Sequence, residues 1–326
     1  MKKIVLLPVK NESWILRQSL ENFSEFADHI LVADQDSNDE SLEIYKEFSK
    51  VTVIKNPGTG HNNSVRWLLL DTARILFSTS SEPCLIFCLD ADEMISKKSV
   101  EFIERLSDEH LKQEHAETVS FELPWIQLWK DVYHYRSDGI WINNYKAIAF
   151  VDNSKLDYKR TLTINDHTLR IPQTSEVIKL PEHPVLHFQF IAWDMSQIKQ
   201  AWYRASELID GKSNARRINH KYGASGPKNA LIFESPKEWL AMIPQAEKVK
   251  FQKNISESWH LKTLNEWFSK HGIDFFESLD IWHIDYLRDM FIEAKKRTPK
   301  PKFYPKLIVA LNNLKNKFKK WLKKYI

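Results

Sequence analysis

The chain has 326 residues and a mass of 38.6 kDa, with 43% hydrophobic and 28% charged residues, which excludes a disordered or collagenous protein and allows one large domain or two ordinary ones. No run approaches the 18 apolar residues of a membrane span, and residues 1–9 read as a strand rather than a secretory leader. Only Cys84 and Cys88 are present, which excludes a disulfide framework and leads us to expect a cytoplasmic protein with both thiols buried.

Charge is unevenly spread. Residues 300–326 hold nine lysines and no acidic residue; removing those charges from the total of +4 leaves the rest at −5. A nucleic-acid partner is not expected, because its binder would carry positive charge on the body.

Residues 3–9 form a continuous apolar run, as in a buried parallel strand. A helix capped by Asn11 follows to about residue 26, with Trp14, Ile15, Leu20 and Phe23 available for its apolar face. Residues 29–33 and 51–55 read as strands around a helix at 40–48. A turn at 57–60 leads to a helix at 62–77, and 84–89 is a fourth strand. Strands alternating with helices predict a parallel sheet flanked by helices. Beyond residue 116, short aromatic-rich runs at 119–123, 147–151 and 185–191 look β-like. Residues 195–209 look helical, 213–227 read as a surface loop, and Pro299 and Pro301 precede a final helix.

Three polar clusters fall just beyond apolar strands, where open α/β sheets bind ligands. They are residues 8–12, 34–39 and 90–93. Each alone could be a cap or a turn. Asp90 and Asp92, one residue apart, could together hold a hard divalent cation that also takes substrate phosphates. The glycines at 58 and 60 are too few and too late for a dinucleotide fingerprint, and no P-loop or nucleophile elbow occurs.

In this combination the sequence resembles family-two glycosyltransferases, of GT-A fold, over roughly residues 1–150 and more loosely to 210. The resemblance rests on Pro8-Val9-Lys10-Asn11-Glu12, on Asp34-Gln35-Asp36-Ser37-Asn38-Asp39, on Arg66, and on Asp90-Ala91-Asp92 after Phe87-Cys88-Leu89. The fold it implies is a mostly parallel sheet with a helical C-terminal extension. The domains would be 1–210 (a donor half at 1–115, an acceptor half at 116–210), 211–298 as the extension, and 299–326 as a basic amphipathic helix.

The activity implied is inverting, Mn²⁺- or Mg²⁺-dependent transfer from a nucleotide-diphosphate sugar to a saccharide or lipid-linked acceptor, in bacterial polysaccharide or envelope assembly. By the same resemblance, Pro8, Lys10 and Glu12 would line the nucleoside pocket, Asp34 would meet the base, and Arg66 the base or phosphate. Asp90 and Ala91 would lie at the donor, and Asp92 would ligate the metal. Arg66 could instead lie on a solvated helix face, and Glu12 could simply favour a helix start.

No Gly-Glu-Asp base segment occurs, leaving Glu182, Asp194 and Asp138 as candidate bases. His187 is either a further metal ligand or a core histidine. Trp125, Trp129 and Trp141 are either acceptor-side aromatics or core. The bacterial surface-polysaccharide members are resembled through His187, Trp193 and the run 199–203.

From residue 306, Leu307, Leu311, Leu314, Phe318, Trp321 or Leu322, and Tyr325 mark one helix face among lysines. Segment 303–326 would lie on an anionic membrane at the inner face of the plasma membrane, or pack on its own domain. The alternatives to a transferase are a nucleotidyltransferase, which usually has a Gly/Arg-rich loop after its first strand, and an inactive membrane-tethered assembly protein.

Overall fold

The computed structural model describes residues 1–56, 64–77, 82–113, 118–153, 170–211, 213–223, 230–245 and 258–305. The chain divides into two compact units, Met1–Ala192 with Ala230–Gln252, and Trp193–Asn229 with Lys253–Ile326. The expected turn at 57–60 and the helix of the lysine-rich tail beyond residue 305 lie outside the described residues.

The first unit begins with strand–helix alternation: β1 (Lys2–Val9), α1 (Ser13–Ser24), β2 (His29–Asp34), α2 (Ser41–Tyr45), β3 (Val51–Lys55), α3 (Val65–Phe77) and β4 (Cys84–Cys88). β4, β1, β2 and β3 lie side by side in parallel. Each strand is separated in sequence from the next by a helix or a long connection, as parallel pairing demands. Ile4 to Leu7 and the whole of β4, including Cys84 and Cys88, are buried. Burial pushes the Cys88 thiol up to about 11.

The pattern then changes. β5 (Glu93–Ile95) and α4 (Lys97–Leu111) lead into β6 (Val119–Trp129), β7 (His134–Arg136), β8 (Tyr145–Asp152), β9 (Glu176–Lys179) and β10 (Val185–Phe190). β11 (Ile232–Glu234) and α7 (Lys237–Leu240) complete the unit. The main path runs β11-β7-β6-β8-β4-β1-β2-β3, with β9 and β10 on β6 and β5 on β10.

This corrects the expected mostly parallel GT-A arrangement. Every pairing on the path from β4 to β11 is antiparallel, as is β5 with β10. Among the described residues no α-helix intervenes between β6 and β8, so β7 and β8 fold back on β6, while β9 and β10, reached by longer connections, join β6 in parallel. β6 is long enough to serve twice: its first half pairs with β8 and its second half with β7 and β10.

The second unit is helical: α5 (Trp193–Ile209), α6 (Ala215–Gly223), α8 (Trp259–His271), a 3-10 turn at Ile273–Phe276, and α9 (Asp285–Lys295). Ile198, Trp202, Leu264, Phe276, Trp282 and Phe291 are at its core. Residue 210, where the sequence reading drew a boundary, immediately follows α5. The loop expected at 213–227 is corrected too: α6 buries Ala215 and Ile218, and its Asn219 amide bonds the Ser278 and Lys302 carbonyls. That stretch has only one short apolar stripe, too little for periodicity to reveal.

Candidate functional site

Because β1, β2 and β4 are parallel, their carboxyl ends share one rim. β8 runs the other way, with Ala149 opposite Phe87, so Tyr145 and Lys146 at its start reach the same rim.

On the β1–β2 side, two loops are laced together. Asn11, in left-handed backbone (φ 54°), gives its N–H to Ser37 Oγ at 2.9 Å, and its Oδ1 accepts from Asn38 N at 2.8 Å. Asn11 therefore braces the next loop rather than capping α1; the first N–H of that helix, on Ser13, is taken by Asp39 at 3.0 Å. Asp34, 6% exposed, accepts from Ser37 N (2.9 Å) and Tyr45 Oη (2.8 Å). Burial and the Asp34 charge push the Tyr45 phenol far above its usual range. Glu12 accepts from the Trp14 indole at 2.5 Å, Pro8 lies opposite Ala33, and Lys10 is half-buried at the end of β1.

At the end of β4 the arrangement is ionic. Arg66, at the start of α3, bonds the Leu89 carbonyl (3.1 Å) and pairs with Asp90. Arg170 bonds the other Asp90 oxygen at 2.7 Å and Glu93 at 2.6 Å. Burial opposes the Asp90 charge, but the Arg170 and Arg66 guanidiniums prevail and hold the carboxyl well below the usual range. Glu93 is fully buried; besides Arg170 it accepts from the Trp125 indole (2.6 Å) and from Asp90 N (2.9 Å). Ala91 is buried, its carbonyl accepting from Ser19 Oγ at 2.6 Å.

Asp92 and His187 approach each other beside this network, Oδ2 to Nε2 at 3.3 Å. His187 is buried, stacked on Trp125 with centroids 4.0 Å apart. Its Nδ1 meets Gln127 Oε1 at 2.7 Å. The Gln127 nitrogen donates to the Leu128 and His187 carbonyls, which only accept, so its oxygen must face the imidazole. His187 therefore carries its hydrogen on Nδ1 and turns Nε2 toward Asp92. Two electron-rich atoms at that distance need a positive charge between them, from a proton or a bound cation.

Among the described residues no three His, Cys, Asp or Glu side chains converge as a metal-ligand group. A cation here would draw its remaining ligands from phosphate and water, as Mg²⁺ and Mn²⁺ sites commonly do. A carboxylate plus an imidazole oriented by a second hydrogen bond suits Mn²⁺ in kind.

Trp125, Trp141 and Trp129 form an aromatic run through Phe190: Trp125 lies 6.0 Å from Trp141, and Phe190 lies 5.9 Å from Trp141 and 5.3 Å from Trp129. Of the candidate bases, Asp138 and Glu182 belong to this unit and Asp194 to the second. Asp138 is engaged by Arg136 (2.6 and 2.8 Å) and by Leu231 N (3.0 Å). The Arg136 hydrogen bonds hold its pKa below the usual carboxylate range, which weakens it as a base. Glu182 is exposed in the turn before β10, and Asp194 is exposed in the first turn of α5, in the second unit.

Sequence reasoning gave no role to Glu93, Gln127, Lys146 or Arg170. Two of them left a signal: Glu93 closes the polar cluster 90–93, and Gln127 is the one polar residue in Trp125-Ile126-Gln127-Leu128-Trp129.

Residues 4–116 match the model of Glycosyl transferase family 2. No curated protein matches the chain. Among solved structures, Staphylococcus aureus TarS is 13% identical with TM-score 0.39, over 89% of this chain and 50% of TarS. Glucosyl-3-phosphoglycerate synthase from Mycobacterium tuberculosis, in complex with Mn²⁺, UDP and glucosyl-3-phosphoglycerate, is 20% identical with TM-score 0.27, over 37% of this chain and 43% of that one. HddC from Yersinia pseudotuberculosis is 12% identical with TM-score 0.35, over 58% of this chain and 94% of its own. The chain thus spans about half the length of TarS. The family match covers part of the chain, β1 through α4, and includes both polar loops and the Asp90-Ala91-Asp92 step.

Proposed function

We propose that the first unit is a glycosyltransferase that moves a sugar from a nucleotide-diphosphate donor to a saccharide or lipid-linked acceptor, with inversion, in bacterial polysaccharide or envelope assembly. The observation carrying this reading is the approach of Asp92 to an imidazole of fixed tautomer, on the rim that also bears Asp34.

In this reading Asp34, held in place by Ser37 and Tyr45, accepts a hydrogen bond from the base, while Pro8, Lys10 and Glu12 border the nucleoside. Asp92 and His187 hold a divalent cation, which when bound neutralises charge on the departing diphosphate. Asp90, fixed by two arginines, orients the turn that carries Asp92. The acceptor hydroxyl attacks the anomeric carbon as the diphosphate leaves, and its proton passes to a base.

Calorimetric titration with UDP and GDP, with and without Mn²⁺, tests the reading. One nucleotide should bind in a Mn²⁺-dependent way, and Asp92→Ala should weaken it by at least about tenfold, roughly 1.4 kcal/mol. If UDP, GDP, CDP and dTDP all fail to bind folded protein, the reading is wrong.

Among the described residues no helix is long and apolar enough to cross a membrane. Peripheral attachment through 303–326 belongs to the same proposal. Flotation with phosphatidylglycerol vesicles should carry the full chain and leave behind a chain ending at residue 302; equal flotation of both would refute it.

A further inference from the structure

Among the described residues Lys146 makes no ion pair on the rim, although the rim's charges act on it. It lies opposite Leu123 in the β8–β6 pairing, on the sheet face and diagonal that lead to Trp125, and its Nζ is 5.1 Å from the Trp125 ring centroid. Arg66 and Arg170 are each matched to carboxylates, Asp90 and Glu93. Among the described residues no carboxylate or hydrogen-bond acceptor pairs with the half-buried Lys146 ammonium. Burial and the Arg170 charge lower its pKa, outweighing the opposite pull of Glu93 and Asp90, so the ammonium is under-compensated where it sits.

A second orphan lies nearby. The Trp141 indole, 6.0 Å from Trp125 between centroids, has a buried N–H with no acceptor among the described residues. A charged donor thus lies over the Trp125 ring, and the neighbouring indole carries a neutral donor without a partner among the described residues; an oxyanion is the kind of group that satisfies either.

Strand order says which substrate would supply it. Asp34 and the Asn11 loop follow β2 and β1 on one side of β4; Lys146 and Trp125 are on β8 and β6, on the other side. We infer that Lys146, with the Trp125 ring and the Trp141 indole N–H, forms a subsite for an anionic acceptor, a saccharide or polyol carrying a phosphate or carboxylate. The word acceptor rests on the transferase reading above; the anion preference does not.

The test is titration of full-length protein, with Mn²⁺ and whichever nucleoside diphosphate binds, using glycerol 3-phosphate, glucuronate and neutral methyl glucoside as probes. Wild type should hold an anionic probe about tenfold tighter than the neutral one. Lys146→Met should erase that preference and Lys146→Arg should keep it, with nucleotide affinity altered less than about twofold in either. Phosphate and carboxylate acceptors are told apart by which probe wins.

An anion preference that survives in folded Lys146→Met, or its absence from wild type, overturns the proposal. A loss of about tenfold in nucleotide affinity in Lys146→Met overturns it differently, by assigning the lysine to the donor diphosphate. Should no nucleotide bind wild type, Lys146-dependent anion binding in its absence would sustain the subsite while the transferase reading fell.

Discussion

On the β1–β2 side of the rim, backbone N–H groups are given to short polar side chains 26 or 27 residues away, as from Asn11 to Ser37 and from Asn38 to Asn11. On the β4–β6–β8 side, guanidinium and indole groups reach carboxylates from 24 to 80 residues away, as with Arg66, Trp125 and Arg170. The first side is a hydrogen-bonded scaffold whose parts come from two adjacent loops. The second is a balance of charges drawn from α3, the end of β4, β5, β6 and the segment at Arg170. Dipolar bonds of the first kind tolerate salt and most pH values; opposed charges in a half-buried place hold only while every member stays ionised.

The largest expected break is Glu93→Ala. It would leave Arg170 short of one partner and orphan the Trp125 N–H, costing on the order of 3–5 kcal/mol in urea unfolding. No comparable single position exists among the residues described on the β1–β2 side. A loss below about 1 kcal/mol would show that the charge balance is not what holds the second side.

Gln127→Leu acts on orientation instead. Freed from its fixed tautomer, His187 should lower Mn²⁺ affinity by about 10–100-fold, read by Mn²⁺ paramagnetic resonance, while Gln127→Glu, which still accepts from Nδ1, should lose less. Equal losses in the two variants would refute the tautomer argument.

The comparison is sharpest at the extremes of pH. The folded pKa of Asp90 is depressed, so its contribution is complete above the unfolded value of about 4 and is lost as pH falls toward the folded one. Asp90→Asn should therefore be less stable than wild type at pH 7 and converge with it in acid. The folded pKa of Tyr45 is raised, so the unfolded chain releases that proton first, and the contribution is lost as pH rises above about 10. Tyr45→Phe should cost only about 1–2 kcal/mol at pH 7, with the gap closing in alkali. Thermal melts from pH 3 to 11 follow the start of both changes, the Asp90 gap narrowing below about pH 4 and the Tyr45 gap above about pH 10. Parallel behaviour of the two variants would erase the distinction between the sides.

The same contrast explains what could be read from sequence. β1 to β4 announce themselves by apolar runs punctuated by polar turns, and Asp34, Asp90 and Asp92 sit in those turns. Arg170 belongs to no periodic segment, and nothing local says it will meet Asp90 some 80 residues earlier. Lys146 opens a strand whose alternation is visible, but its lack of a carboxylate partner is a property of the assembled sheet. The first four strands set a parallel pattern in the sequence, and the helices that sustain it stop before β6. Asp138 is a candidate base by residue type alone; that the arginine two residues before it binds both its oxygens is visible only in the folded chain.

Both cysteines lie within β4 with their sulfurs buried, and the Cys88 thiol is raised to about 11. Burial disfavours the Cys88 thiolate and shields both sulfurs, which makes the pair poor targets for maleimides or iodoacetamides in the folded protein. The native chain therefore serves as its own cysteine-free background. A single engineered thiol on the rim, at Lys146 or beside Asp34, could carry a fluorophore or spin label without first removing the natural pair, so that each side of the site could report separately when its ligand arrives.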